Sequence, residues 1–407
     1  MIIYNQGNSM KKQIMRYLFL IHVTCISYSL YAVPNKPWTF LVYMAAANDL
    51  NPYALLDLQE MMKVGSTPFV NVIVYLTIQE DGQPKQTKKL YVEKGSLQQI
   101  GPVLNRDSGD IATLTEALQW ACLDYPSDHT AVVLWDHGSG PLNRKKSIKK
   151  GVCYDFDTGH YLTDRDCLDA FAWARDRVNG GRKFDIIGCD ACLLASLEMA
   201  YTLSSCADYF VASEETIPGD GFQYALLLDS FTKQSLDALS FAKLMISSYG
   251  QEYAGTLSYT LSLTDLNMIN LLVDNVNAVS QVLSSQLKSK NYAASKAVIK
   301  KCINKNMCPS FDDGVYIDLC QFYRNLLKNI DGLKLSKAVA QQFKKIVAAG
   351  VALFPKIIKA QVTSKNYKQV GGLSMYFARY SIDPSYYGLY WTAHNSNWLN
   401  FLEAFIG

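Results

Sequence analysis

Residues 184–196 read FDIIGCDACLLAS: an apolar strand, then a cysteine, then a helix-forming segment. Strand signals of this kind recur through the first half of the chain. WTFLVYMA (38–45), NVIVYLTI (71–78), TAVVLWDHG (130–138), KFDIIGCDA (183–191) and DYFVASEE (208–215) are apolar or β-branched runs, and KKLYVEKG (88–95) reads as an edge strand or hairpin arm. Between them, 52–65, 113–125, 162–176 and 193–203 have helical periodicity, the second with Thr113 as its expected cap three residues before Glu116. Near-continuous apolar strands alternating with amphipathic helices are covered on both faces. This predicts an α/β fold with a mostly parallel sheet and helices on both sides. Past about residue 265 helical stretches dominate (267–287, 291–301, 335–352 and NWLNFLEAF near the C-terminus), with a late apolar strand GGLSMYFA at 371–378. The expected organisation is a signal segment over 1–32, an α/β domain over 33–250, and a helix-rich C-terminal domain over 251–407 that contributes late strands.

With 49% apolar and 18% charged residues the chain has a globular composition and enough length for a large core. A net charge of +3, with no Lys/Arg stripe interleaved with aromatics, argues against nucleic acid as a partner. Lys11, Lys12 and Arg16 precede the run YLFLIHVTCISYSLYA, and Ala32 is followed by a polar, Pro-bearing segment. This is the pattern of a secretory signal, and His22, Thr24 and Ser27 break the run too often for a membrane span. The expected location is secreted, periplasmic or at the cell surface, with no membrane attachment after signal removal. Cleavage near Ala32 leaves Cys122, Cys153, Cys167, Cys189, Cys192, Cys206, Cys302, Cys308 and Cys320. An odd count leaves at least one thiol unpaired unless pairing is intermolecular. Cys302 and Cys308 have the spacing of a local bridge, and no zinc-spaced Cys or His cluster occurs.

In an open α/β sheet, ligands bind beyond the carboxyl ends of the strands. Two strands here end in reactive side chains: WDHGSG places His137 at a tip with glycines on its exit, and CDAC places Cys192 at a tip and at the entrance of the next helix. Alone, Cys192 reads first as a structural thiol, in the core or in a disulfide, and only then as a nucleophile, and His137 as a structural histidine. On neighbouring strands, however, the imidazole and the sulfur would meet on one rim. A helix N-terminus and an imidazolium would each lower the thiol pKa. Cys189 completes a CxxC with Cys192, but it lies inside a predicted buried strand, unlike a redox motif that opens a helix.

VLWDHGSG and FDIIGCDACLLAS together closely resemble the clostripain family of cysteine endopeptidases, in the caspase-like peptidase clan. VYMAAANDL (42–50), SEETIPGDGFQY (213–224), TLSLTDL (260–266) and GGLSMYF (371–377) match in the family's order and span nearly the whole mature chain. The resemblance implies a caspase-like sheet, a Cys192–His137 dyad, and a pocket for Arg or Lys at P1 with Asp190 and Asp220 as its acidic residues. Hydrolysis through that dyad would use the backbone N–H groups of Gly138 and Cys192 as an oxyanion hole. The chain departs from the family at Ala47, where an Asp is usual although Asn48 and Asp49 follow, at Pro141 and at Phe222, where Trp is common.

The segment NRKKSIKKG (143–151) lies between the His and Cys strands and offers Arg144, Lys145, Lys146, Lys149 and Lys150. Here the resemblance implies activation by internal cleavage, nicking a monomer into two associated chains. No cofactor is required by this chemistry. Calcium, on which some family members depend, stays open, although YDFDTGH (154–160) with Asp155 and Asp157 lacks EF-hand spacing. The expected partners are protein or peptide substrates with a basic P1. Two alternatives remain: an inactive secreted binding protein on the same fold, and a peptidase of the same clan with a non-basic P1 preference.

Overall fold

The computed structural model describes residues 35–80, 82–142 and 151–407. The expected signal segment and the five basic candidates from Arg144 to Lys150 therefore lie outside the described residues. Residues 35–407 cluster as one compact unit.

Nine strands form the main sheet: β1 (Lys36–Ala46), β2 (Val70–Ile78), β3 (Gln86–Glu93), β4 (Ser96–Leu104), β5 (Ser127–Trp135), β6 (Phe184–Asp190), β7 (Ala207–Ala212), β8 (Thr260–Asp265) and, late in the chain, Ile358–Thr363. Three more make a small antiparallel sheet: β9 (Ser310–Phe311), β10 (Tyr316–Asp318) and β12 (Ser374–Tyr376); the late strand of the main sheet is thus β11. The large sheet runs β11-β8-β7-β6-β5-β1-β2-β3-β4. Its five central strands are parallel, while β3–β4 and β8–β11 close the two edges antiparallel. The residue-250 boundary expected from sequence falls inside the helix Ala238–Glu252, and the chain beyond it returns two strands to the sheet.

Alternate residues of a strand point to opposite faces, so a strand covered on both sides reads as a near-continuous apolar run. β1 follows this rule. Phe40, Val42 and Met44 enter one layer with Leu58 and Met61 of the helix Asn51–Val64 and Phe241 and Met245 of Ala238–Glu252. Leu41, Tyr43 and Ala45 enter the other, shared with the helices Ile111–Asp124 and Asp164–Arg177 and with nearly all of the C-terminal helical part.

Local details depart from expectation in three places. The helix expected over 113–125 starts at Ile111 and is capped by Asp110, whose carboxylate accepts the Ala112 N–H (2.9 Å), so Thr113 lies inside it. GGLSMYFA contributes only Ser374–Tyr376, and it pairs with β10 in the small sheet. The Cys302–Cys308 bridge does not form: all nine cysteines from Cys122 to Cys320 are free thiols, and Cys308 Sγ donates to the Asp318 carbonyl (3.5 Å).

Candidate active site

β5 and β6 are adjacent and parallel, with Trp135 in register with Asp190. Two residues further on, His137 and Cys192 therefore leave the sheet side by side at its carboxyl edge. Both line a cleft of about 420 Å³, together with Tyr53, Trp135, Asp190 and Ile217. Gly138 is pressed against the Cys192 backbone, and a Cβ there would overlap the Cys192 carbonyl. The two tips can approach this closely only because residue 138 has no side chain.

His137 is buried, and its Nε2 lies 2.5 Å from Asp49 Oδ1 on the loop after β1. Its ring stacks near-parallel on Phe156, with centroids 6.3 Å apart. The loop is fixed by Asn48, whose amide donates to the Ala45 carbonyl (3.0 Å), the Tyr154 carbonyl (2.9 Å) and Asp136 Oδ1 (2.7 Å), while its Oδ1 accepts the Leu50 N–H. Asp136, directly before His137, also accepts the Tyr154 N–H. Burial pushes its carboxyl well above the ordinary range, and these donors oppose that shift.

Cys192 is half-buried, and its sulfur accepts the Ile217 N–H at 3.3 Å. The expectation that it opens a helix is corrected. The next helix is Leu197–Leu203, capped by Ser196 through the Met199 N–H, so Cys192 sits in a turn ahead of it. That turn contains Leu193 in the left-handed region (φ 66°), and it is pinned to the segment after β7 by Leu193 N–H to the Glu215 carbonyl (3.2 Å) and Ala195 N–H to the Ser213 carbonyl (2.9 Å). A dipole effect fades within the first turn, so the helix lends the thiol little.

Asp190 is buried on the cleft wall. One carboxylate oxygen accepts both the Phe222 N–H and the Tyr224 hydroxyl, each at 2.9 Å. Gly221 (φ 57°) makes this possible, since a Cβ there would collide with the carboxylate. Burial raises the Asp190 carboxyl well above its ordinary range. Behind it, Asp57 is buried and accepts the Trp135 indole N–H at 2.6 Å; burial and the nearby Asp190 charge push it up as well. Asp220 is exposed, between Gly219 and Gly221, which line the cleft. The site thus brings His137, Cys192, Gly138 and Asp190 together and leaves Asp220 on the rim.

Asp155 and Asp157 both reach the Lys85 ammonium (2.9 and 3.3 Å), and Asp155 also accepts the Ser108 and Asp157 N–H groups. A lysine holds the place a cation would take, so this loop does not fit calcium. Among the described residues no group of three or more His, Cys, Asp or Glu side chains is placed to hold a metal. Asp49, Asp57 and Tyr224 complete the surroundings of the site. Asp49 and Tyr224 fall inside stretches singled out in the sequence, VYMAAANDL and SEETIPGDGFQY, without a role assigned to either; Asp57 had no such signal.

Residues 42–390 match the clostripain family. The chain belongs to that family. It is 24% identical over 223 residues to clostripain from Hathewaya histolytica, an alignment covering 48% of this chain and 42% of that protein, so less than half of that relative's length is matched. Its fold is shared with an X-ray structure of a secreted C11 cysteine protease from Bacteroides thetaiotaomicron bound to an irreversible peptide inhibitor (TM-score 0.62, 21% identity, 90% of this chain and 99% of that one). It is also shared with an inactive zymogen C11 protease from Parabacteroides distasonis (TM-score 0.61, 19% identity, 89% and 98%). The clostripain-family match includes the second half of the first strand, the His137 and Cys192 tips and the small sheet.

Proposed function

We propose that this chain is an exported cysteine endopeptidase that cleaves after Arg or Lys, with Cys192 as nucleophile and His137 as its proton carrier. The observation that carries the reading is the shared register of β5 and β6, which delivers both side chains into one cleft. The imidazole takes the thiol proton and the thiolate attacks the scissile carbonyl. The oxyanion forms beside the Gly138 and Cys192 backbone amides. His137 then gives its proton to the leaving amine, the acyl group remains as a thioester on Cys192, and a water deprotonated by His137 releases it. A cationic P1 side chain would reach the Asp190 carboxylate. The test is labelling with an Arg-based thiol-reactive peptidyl inhibitor, mapped by mass spectrometry. An adduct on Cys192 that is lost in His137→Ala supports the reading; no adduct in the reduced, active chain rejects it.

Asp49 enters the mechanism by holding Nε2 and so orienting the imidazole in the cleft it shares with Cys192. Its side chain is 60% exposed, so water shares this task. Asp49→Asn is therefore expected to lower kcat only roughly tenfold, with KM little changed, and Asp49→Glu to recover part of the loss. A KM effect without a kcat effect would assign Asp49 to substrate binding instead.

Activation by a cut between Arg144 and Gly151 is part of the same proposal, supported by the zymogen description of one solved relative. Gly151, the last residue of the segment, and Val152 after it are tied to the His137 loop by Ser139 N–H to the Gly151 carbonyl (3.2 Å) and a bridge between Gly138 and Val152. A cut in this segment would thus end beside the catalytic histidine. N-terminal sequencing of the active protein should find a new terminus between residues 145 and 151; full activity in an uncut chain would reject self-activation. Export rests on the sequence of residues 1–32 and on the secreted relative. Among the described residues no helix is long and apolar enough to cross a membrane.

A further inference from the structure

The cleft around Cys192 is large enough for one or two side chains, and a polypeptide bound there must continue somewhere. A second cavity, of about 1120 Å³, begins at the same wall. Thr216 lines both cavities, and Leu193, the residue after the nucleophile, lines the second. The partition between them is the pair of segments joined by the Leu193–Glu215 backbone bond. An extended chain leaving Cys192 over Thr216 enters this trough directly.

The charges in the trough are unevenly satisfied. One wall is the exposed face of the helix Tyr292–Cys302 and the residues after it, carrying Lys296, Lys300 and Lys305; Arg379 stands near its floor. Among the described residues none of these four cations is in an ion pair. Lys296 donates to the Tyr292 hydroxyl and the Ile406 carbonyl, and Arg379 to the carbonyls of Gly314 and Ile303. Three carboxylates line the trough as well, two of them in the turn whose Gly314 carbonyl accepts from Arg379. Glu215 is bound by the Tyr367 hydroxyl and the Thr216 N–H, and Asp312 and Asp313 form a left-handed turn, so the Lys296–Lys300–Lys305 wall is the part of the lining that carries charge of one sign. A concave wall of unpaired cations beside a catalytic cleft focuses a positive potential on whatever chain lies in it.

We infer that this trough is the extended substrate site of the peptidase, and that its Lys296–Lys300–Lys305 wall selects polypeptides with Asp or Glu side chains a few residues from the scissile bond. The inference rests on the peptidase reading above and adds a second, opposite charge requirement to its basic P1. Such a substrate would carry one cation at the cut and a carboxylate at a fixed distance from it.

The test uses the mature protein and amide-capped peptides, so that no terminal carboxylate competes. Arg is fixed at P1, and the three positions on either side are varied among Asp, Glu, Ala and Lys; a short substrate with Arg alone is the control. At low salt, Asp or Glu at one or more positions is expected to raise kcat/KM roughly five- to tenfold over Lys, a preference that shrinks as salt rises. Lys300→Glu combined with Lys305→Glu should abolish or reverse it, Lys300→Gln with Lys305→Gln should weaken it, and the short control should be cleaved equally by all three proteins. Lys300 and Lys305 are exposed, so melting temperatures should be unchanged. No charge preference at any position, or one unaffected by the double substitutions, overturns the inference while leaving the peptidase reading intact. A wild-type protein inert on the short control overturns the peptidase reading, and this inference falls with it.

Discussion

Cys192→Ala is expected to abolish peptide hydrolysis and leave the fold unchanged. The sulfur is the only group on the β6 tip that can form the acyl-enzyme. Its loss removes at least roughly a thousandfold in rate, with little left beyond what binding and the oxyanion donors supply. The structural cost is small. Cys192 is half-buried in a turn, and its sulfur accepts the Ile217 N–H, which faces the cleft once the sulfur is gone. A change in stability within about 1 kcal/mol is expected. The same protein should remain uncut in the 143–151 segment if the cut is its own work. A Cys192→Ala protein that is folded and still cleaves Arg substrates would end the assignment; one that is inactive but still cut would place activation in another protease.

Asp190→Asn is expected to lower kcat/KM for Arg substrates by roughly a hundredfold and to leave neutral P1 substrates nearly unaffected. The asparagine oxygen can keep the Phe222 N–H and Tyr224 hydroxyl bonds, so the change removes charge and little else. The wild-type pH dependence follows from burial, which raises the Asp190 carboxyl above the ordinary carboxylate range. A cationic P1 needs the ionised form. KM for Arg substrates should therefore fall as pH rises through that raised value, and this dependence should vanish in the variant. The effect on stability has the opposite sense. A carboxyl with a raised folded-state pKa binds more protons folded than unfolded, so its contribution is fully present at low pH and is lost as pH rises through the folded value. Asp190→Asn should accordingly raise the melting temperature most at alkaline pH. A KM profile identical in the two proteins would move P1 recognition away from Asp190, with Asp220 the next residue to test.

The strands of the central sheet were legible because covering on both faces forces a near-continuous apolar run, as in VIVYL (72–76) and the Ile186–Ile187 pair of FDIIGC. His137 and Cys192 were legible for a related reason: a reactive side chain directly after such a strand sits at the edge where α/β folds bind ligands. What surrounds them was not. Asp49 reaches His137 across 88 residues of chain, and Asp57 meets Trp135 across 78. Contacts at that separation depend on strand order, which no local pattern encodes. The helix after Cys192 was placed too early because LLASLEMA is helical by propensity throughout. Tertiary bonds from Ser213 and Glu215 to the turn at 193–195 override that propensity until Ser196 can cap. The Cys302–Cys308 pairing failed because sequence spacing says nothing of side-chain direction: one thiol is buried at a helix end and the other points at a carbonyl beside the small sheet.

The seam between β5 and β6 has a consequence for the life history of the molecule. The segment that joins these strands also separates the half of the chain bearing His137 from the half bearing Cys192, with β1 to β5 on one side and β6 to β12 on the other. Before a cut, the two halves find each other as parts of one chain, at a cost that grows only slowly with the length of the connection. After it, the folded state persists because the halves are already joined edge to edge in one sheet along β5 and β6, but an unfolded molecule would have to reassemble from two pieces. Recovery of activity after denaturant is removed should then depend on protein concentration in the cut form and not in the intact one. The active form would be an arrangement reached once per molecule, long-lived while folded and without an easy way back.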